Sequence, residues 1–329
     1  MKHKLAILTV VLLLLAMATA QAGNERRIGT AGATELLIPV GSRGAAMGGS
    51  VVSNTTGVEA IYWNPAGLAD LEGTEVMFTH QPYIADIDVN FAGIATRVEG
   101  FGTLGLSAKI VSIGDIEETT EEQPAGTGRV FSPSMAILGL SYSRVLTANV
   151  SFGVSGMFIH EDVFEVSATG VAFDVGFQYD PRWRGLSMGL SIKNYGPSMS
   201  FSGRGFRREL DGRSGAAESA PFELPSSINL GVAYDFLEDG ANFASVSANF
   251  RSNNFYSDFW QAGAEYVYDG KYSLRGGYAF SEEDNYLYGA SVGAGVILNV
   301  GGTDLSFEYS WQETDVFDDN QFFTVKAKF

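Results

Sequence analysis

The stretch FFTVKAKF, residues 322–329, sets Phe323, Val325, Ala327 and Phe329 on one side of an extended chain and Thr324, Lys326 and Lys328 on the other. Successive side chains of a strand point to opposite faces, so this segment has one apolar face and one cationic face. The same period of two recurs upstream. In LSFEYSWQ, residues 305–312, Leu305, Phe307, Tyr309 and Trp311 oppose Ser306, Glu308, Ser310 and Gln312. Further back, Ile228, Leu230, Val232, Tyr234 and Phe236 oppose Asn229, Gly231, Ala233 and Asp235. Val171, Phe173, Val175, Phe177 and Tyr179 likewise oppose Ala172, Asp174, Gly176 and Gln178.

Such runs number roughly fourteen between Thr74 and Phe329, each about 9 to 14 residues long. Strands of soluble sheets are usually about 5 to 6 residues, whereas a tilted strand crossing a bilayer needs about 9 to 11. The connections alternate between tight and long. Tight ones read EGFG at 99–102, LTAN at 146–149, EDG at 238–240, YDG at 268–270 and NVGG at 299–302, where Asp-Gly and Gly-Gly are hairpin chemistry. Long ones are GDIEETTEEQPAGTGR, the Gly196–Pro225 segment, SNNFYSD, SEEDN and ETDVFDDN. An even strand number, short turns on one side, long polar loops on the other and a terminal aromatic, Phe329, describe an all-β, transmembrane antiparallel barrel of about 14 strands. A soluble exported sandwich or propeller is the alternative. It would turn the aromatic rows inward and leave small polar rows outside.

Composition agrees. The 329 residues are 45% hydrophobic and only 18% charged, with 40 glycines, 23 phenylalanines and 14 tyrosines, an aromatic and glycine bias unlike an average soluble domain. Lys2 and Lys4, the apolar run LAILTVVLLLLAMATA and the small-x-small site Ala20-Gln21-Ala22 read as a signal peptide over residues 1–22. No later apolar run is long enough for a transmembrane helix, and no cysteine follows the first run to carry a lipid. With no cysteine anywhere, disulfides and thiolate metal sites drop out. The formal charge of −17 becomes about −19 once Lys2 and Lys4 are removed, which argues against nucleic acid or an anionic lipid face as partner.

A barrel of this size is too wide for wall side chains to fill. Residues 23–73 precede the first strand and are rich in small residues, so they are expected to form an N-terminal hatch within the lumen of a barrel spanning 74–329. Asn64 is placed to cap a helical turn that begins at Pro65. Arg43 is placed to pair with a lumenal carboxylate such as Asp174, Asp235, Glu265 or Glu308. The alternation predicts Lys109, Asp174, Lys193, Asp235, Glu265, Arg275, Glu308, Lys326 and Lys328 in the lumen, more charge than a purely apolar ligand favours.

The segment Gly29–Ala69, GTAGATELLIPVGSRGAAMGGSVVSNTTGVEAIYWNPAGLA, closely resembles the N-terminal signature of the PorV/PorQ proteins. Its AMGG and NPAGLA elements also resemble the hatch of the wider FadL (OMPP1/TodX) group. The matching residues are Arg43, Met47, Gly48, Gly49, Trp63, Asn64, Pro65, Ala66 and Gly67. The resemblance implies a fourteen-stranded outer-membrane barrel with a hatch, and two alternative jobs. PorV-like proteins take part in type nine secretion, carrying cargo proteins by a C-terminal domain to a surface-anchoring complex. FadL-like proteins admit fatty acids or other hydrophobic molecules through a lateral opening. For the second job GFGTLGLS and GASVGAG are candidate wall gaps, because glycine weakens a ladder. For Arg43 and Asn64 a role in stabilising the hatch is favoured over ligand contact.

The expected setting is the outer membrane of a Gram-negative cell, with long loops outside and both termini periplasmic. Expected partners are outer-membrane lipid, the barrel-assembly machinery through Phe329, and either secreted cargo or a hydrophobic small molecule. No cofactor or metal is expected. The acidic runs EED at 282–284 and DVFDD at 315–319 lack the spacing of a dedicated calcium loop. Beyond the leader only His80 and His160 remain, with no GxSxG, HExxH or Walker motif, so a catalytic role, such as a Ser–His dyad around His160, is disfavoured.

Overall fold

The structure is a computed structural model that describes residues 27–206, 208–210, 213–215, 217–281 and 287–329. The signal peptide expected over 1–22 and the acidic run 282–284 lie outside the described residues.

The wall begins with β1 (Thr74–Pro82), β2 (Asp88–Val98), β3 (Gly102–Ser112), β4 (Ser134–Thr147), β5 (Val150–Val163), β6 (Val166–Tyr179) and β7 (Leu186–Tyr195). It continues with β8 (Ser227–Asp239), β9 (Asn242–Asn253), β10 (Phe259–Tyr268), β11 (Tyr272–Ser281), β12 (Tyr288–Val300), β13 (Thr303–Thr314) and β14 (Asn320–Lys328). Every strand pairs antiparallel with its neighbour in sequence. The ladder then closes, because β1 also pairs β14, from Glu75 opposite Lys328 to His80 opposite Phe323. The fifteen-stranded sheet is therefore a closed fourteen-stranded barrel plus one short loop strand, Phe201–Gly203, added to β6. Closure satisfies the backbone groups that an open edge would leave bare in hydrocarbon.

Turns at one end are tight. Asp269 and Gly270, both in the left-handed region at φ 53° and 62°, make the hairpin between β10 and β11, a conformation that Asp-Gly adopts readily. The opposite end carries the long connections, including a small ribbon of Ile116–Glu117 with Val130–Phe131. Four connections there are short all the same: residues 83–87, 164–165, 254–258 and 315–319.

The alternation decides what faces out. Phe173, Leu140, Leu274, Tyr278 and Phe307 stand exposed on the outer surface, while Asp174, Ser155, Glu308 and Ser310 are buried on the inner one. The inner face is not small and polar all round, however. Met77, Val89, Phe91, Val111, Ile137 and Ile159 point inward and are buried, a departure from the small, polar inner rows that the pattern gives in nearly every strand. The cause is the partner they meet. Leu36, Ile38, Val40, Ile61 and Leu68 of the hatch pack on them, so these inward positions bury apolar surface against protein, not water.

Residues 27–73 run through the lumen from end to end. Near the long loops, Arg27 pairs with Glu223 and Gly32 N–H donates to the Glu223 carbonyl. At the tight-turn end, Arg97 binds the Ala69 carbonyl and Arg97 N–H donates to Gly73 O. Thr74 and Phe329 exchange backbone hydrogen bonds at that same end. The first described residue thus lies at the long-loop end and the last at the turn end. The Gly196–Ser226 connection also departs from a free loop, since its Met199 and Leu224 are buried with Leu36 and Ile159.

An outward row bathed in hydrocarbon tolerates no charge. Leu140→Arg, in the middle of β4, is expected to destabilise the barrel by about 2–4 kcal/mol. Denaturant unfolding of protein folded into phosphatidylcholine vesicles measures this. A loss below about 0.5 kcal/mol would place Leu140 in water.

Candidate functional site

The hatch is held by close backbone approach on one arc of the wall. Gly41, at φ 84°, leads into α1 (Ser42–Ala46), and Gly48 and Gly49, at 62° and 82°, turn the chain after it. Met47 is fully buried with Val51 and Trp63, and its peptide to Gly48 lies directly on Gly277 of β11, where any Cβ would overlap it. Gly48 rests on the Tyr278 backbone and Gly49 against Gln261. Trp63, at the end of α2 (Ala60–Trp63), donates its Nε1–H to the Val40 carbonyl at 2.9 Å and covers Gly44.

Asn64 connects hatch and wall. Its Oδ1 accepts from Ala66 N–H at 3.2 Å, capping the short helix Pro65–Asp70. Its Nδ2 donates to the Val52 carbonyl at 2.7 Å and to the Phe177 carbonyl of β6 at 3.1 Å. Pro65 lies on Gly153 of β5, Asn64 on Gly176 of β6, and Gly67 on the Thr55 carbonyl, where side chains would collide. The Ala66 carbonyl accepts from Ser143 Oγ of β4 at 3.1 Å. Two of the glycines read as wall gaps have the same job: Gly105 faces Ile61 and Gly293 faces Ala46, so these two admit the hatch.

An ion network crosses the lumen beside α1. Arg43 Nη2 donates to Glu265 Oε2 at 2.8 Å and its Nε to both Glu265 oxygens at 3.2 Å. Glu265 of β10 lies opposite Arg275 of β11, whose Nε reaches Oε1 at 2.6 Å. Arg275 Nη1 continues to Glu308 at 3.2 Å, Lys326 joins Glu308 at 3.0 Å, and Lys326 also donates to Glu59 Oε2 at 2.8 Å. Glu59 returns the chain to the hatch by accepting Gly44 N–H at 2.8 Å. Burial opposes the charge on Arg43, but the carboxylates of Glu265, Glu59 and Glu308 outweigh it and raise its pKa.

Of the four carboxylates that sequence reasoning offered to Arg43, Glu265 is the partner. Asp235 lies nearby on β8, with one oxygen lacking a hydrogen-bond partner. Asp174 is on another arc, accepting Asn194 N–H at 2.7 Å. Lys109 is there too, donating to the carbonyls of Glu35 at 2.7 Å and Ile38 at 2.6 Å. Lys328 is exposed at the barrel rim. Glu59 and Tyr62 were not singled out in the sequence; the signal for Glu59 was a lone carboxylate in a glycine- and alanine-rich run.

His160 lies on the outward row of β5, opposite Ala136 and Thr169, and His80 contacts Asn90 at 3.0 Å. Asp319, from the acidic run at 315–319, braces its own turn by accepting from Thr314 N–H and Trp311 Nε1–H, both at 3.1 Å. Phe329 projects an exposed ring at the closing seam.

A family model described as type IX secretion system protein PorV matches residues 20–256, covering the hatch and the wall through β9. Among solved structures, the chain is similar to the Pseudomonas putida toluene transporter TodX, with a TM-score of 0.57 and 14% identity over 88% of this chain and 96% of that one. It is also similar to the CymD monoaromatic hydrocarbon channel, at 0.56 and 13% over 88% and 97%, and to a Pseudomonas aeruginosa FadL homologue, at 0.54 and 13% over 88% and 98%. Identities this low establish a shared fold and nothing about activity. A search of curated proteins returned no match.

Removing one member of a buried ion pair strands the other, at a cost of about 3–5 kcal/mol. Glu265→Gln leaves Arg43 and Arg275 without this counter-ion, so trypsin should cut the hatch at Arg43 much faster while the barrel keeps its compact, unheated mobility in gels. Unchanged cleavage would show that the network does not hold the hatch.

Glu35 adds a pH dependence. Burial raises its carboxyl above the ordinary 4.5, and one of its oxygens has no hydrogen-bond partner. The folded state therefore favours the protonated acid, so this contribution to seating is complete below about pH 4.5 and is lost as pH rises through the raised value. Protection of residues 30–40 from hydrogen exchange should fall with rising pH in the parent protein and fall less in Glu35→Gln. Equal slopes would contradict the assignment.

Proposed function

The chain belongs to the PorV family of type IX secretion system proteins, and from that membership we propose that it is a non-catalytic barrel acting in the secretion or surface attachment of exported proteins. It is an outer-membrane β-barrel of a Gram-negative cell, in contact with lipid along its apolar outer rows. In the proposed arrangement residues 1–22 are removed on export, residues 23–73 form the hatch and residues 74–329 the wall. The long-loop end faces outward, the turn end faces the periplasm, and Phe329 is offered to the barrel-assembly machinery.

The observation that carries this reading is the family match across the hatch and the first nine strands. Two structural features support it. The lumen is occupied by a hatch whose residues from Val40 to Ala69 are almost all buried, which blocks a straight passage along the barrel axis. At the long-loop end, Val316, Phe317, Ile116, Val130 and Phe164 are exposed apolar side chains on connections outside the transmembrane rows, and exposed apolar patches mark interaction surfaces. Arg204 at this end belongs to the same surface.

The second reading, passage of a hydrophobic small molecule, is favoured by one feature. The ladder between β6 and β7 shifts register between Phe173 and Val175, and Asn194 there adopts a left-handed φ of 57°. One experiment separates the two. Val316→Asp with Phe317→Asp should lower co-purification of secreted proteins and their amount on the cell surface at least tenfold, while toluene and long-chain fatty acid uptake stays as in the parent cells. Unchanged secretion with uptake that depends on the intact gene would support the transport reading and overturn the first.

A further inference from the structure

The lumen sorts its cations into two groups. Arg43, Arg275 and Lys326 each have a carboxylate oxygen within 3.2 Å. Lys109, Lys193 and Arg251 are 4%, 4% and 8% exposed, yet among the described residues none has a carboxylate within the 4.0 Å ion-pair distance. Lys193 instead stands on the Tyr62 ring, 3.6 Å from its centroid, with Lys109 at 5.2 Å from the same centroid. Arg251 donates its Nε to Asn229 Oδ1 at 2.6 Å and lies 5.0 Å from the Phe259 ring. Buried charges without a counter-charge are costly, and a cation–π contact returns only part of that cost.

The two lysines line one cavity of about 30 Å³, bounded also by Tyr62, Asp174, Asn194 and Ser141. A water needs about 10–15 Å³, so there is room for about two waters or one halide, and none for an organic tail. Two lysine amino groups thus share the cavity with one carboxylate, Asp174, one of whose oxygens accepts Asn194 N–H. Glu35 and Glu161 lie beyond Lys109, and burial favours the neutral acid at Glu35. Lys109 has one N–H left after its two carbonyl bonds. Leu36, Ile61 and Phe91 close the remaining walls, and apolar walls suit a weakly hydrated monovalent ion better than a phosphate or sulfate.

We propose that this cavity binds a small monovalent anion of chloride size, bridging Lys109 of β3 and Lys193 of β7 beside the hatch residue Tyr62. The bound ion completes the charge balance of this arc as Glu265 and Glu308 do on the other. Tyr62, whose hydroxyl donates to the Leu37 carbonyl at 3.1 Å, is thereby locked against the wall together with the hatch.

Bromide is the probe. Full-length mature protein in a non-ionic detergent is moved from sodium gluconate to sodium bromide at constant ionic strength. Its thermal midpoint should rise saturably, since ten times the dissociation constant shifts the folded-to-unfolded ratio about tenfold. Crystals soaked in bromide should carry an anomalous peak between the two lysine Nζ atoms. Lys193→Met should abolish both effects, and Lys193→Arg should keep them. If Lys193→Met fails to assemble, the parent peak and the Lys193→Arg titration decide alone. Bromide peaks confined to the surface, a non-saturable shift, or an unchanged response in Lys193→Met would each overturn the proposal.

Discussion

Every peptide group of a wall in hydrocarbon must find its partner within the wall, and that constraint forces β1 onto β14. Closure at fourteen strands then creates a second problem, because the enclosed space is wider than facing side chains can fill. The chain solves it with its own first segment. Residues 27–73 enter at the long-loop end, cross the lumen and leave at the turn end, where Gly73 passes directly into β1. The hatch is therefore a part of the fold's interior, and the wall's inner rows are shaped to it.

That shaping uses different physics on different arcs. On β1 to β6 the inward rows include Met77, Val89, Phe91, Val111, Ile137 and Ile159, which meet Leu36, Ile38, Ile61 and Leu68, so burial of hydrocarbon surface contributes there. On β10 to β14 glycines admit the hatch backbone and a chain of ion pairs runs from Arg43 to Glu59 through four wall residues. Buried ion pairs add little net stability compared with apolar packing, but breaking one is costly. Their use here is to fix where α1 sits: Arg43 and Glu59 find partners in one placement only.

The barrel was legible because lipid imposes a simple rule on each strand, and rows such as Phe173, Val175 and Phe177 obey it without regard to the rest of the fold. The local chemistry of Asn64 and Pro65 was legible for the same reason, since capping depends on near neighbours. The inner face was harder to read. Whether Ile137 or Phe91 faces water or hatch depends on residues far off in sequence, and a period of two does not carry that information. Nor does spacing say which carboxylate Arg43 meets; Glu265 is chosen by the register that places it opposite Arg275 and by the turn that aims α1 at β10. The glycines of the wall looked like ladder defects because a missing Cβ reads alike whether a gap or a backbone fills the space. The position of Arg27 at the loop end was hidden too, because only the hydrogen bonds to Glu223 reveal it.

The fold is shared with a toluene transporter and a monoaromatic hydrocarbon channel, and in this chain the lumen is filled by its own first segment. The placement of the hatch is thus the central claim, and a cysteine-free chain offers a clean way to test it. Ser50 Oγ of the hatch lies 2.8 Å from Ser247 Oγ of β9. With Ser50→Cys and Ser247→Cys introduced together, the exported protein should form an intramolecular disulfide nearly quantitatively, detected by mass spectrometry of its peptides. Two freely alkylated thiols in a correctly folded barrel would contradict the account.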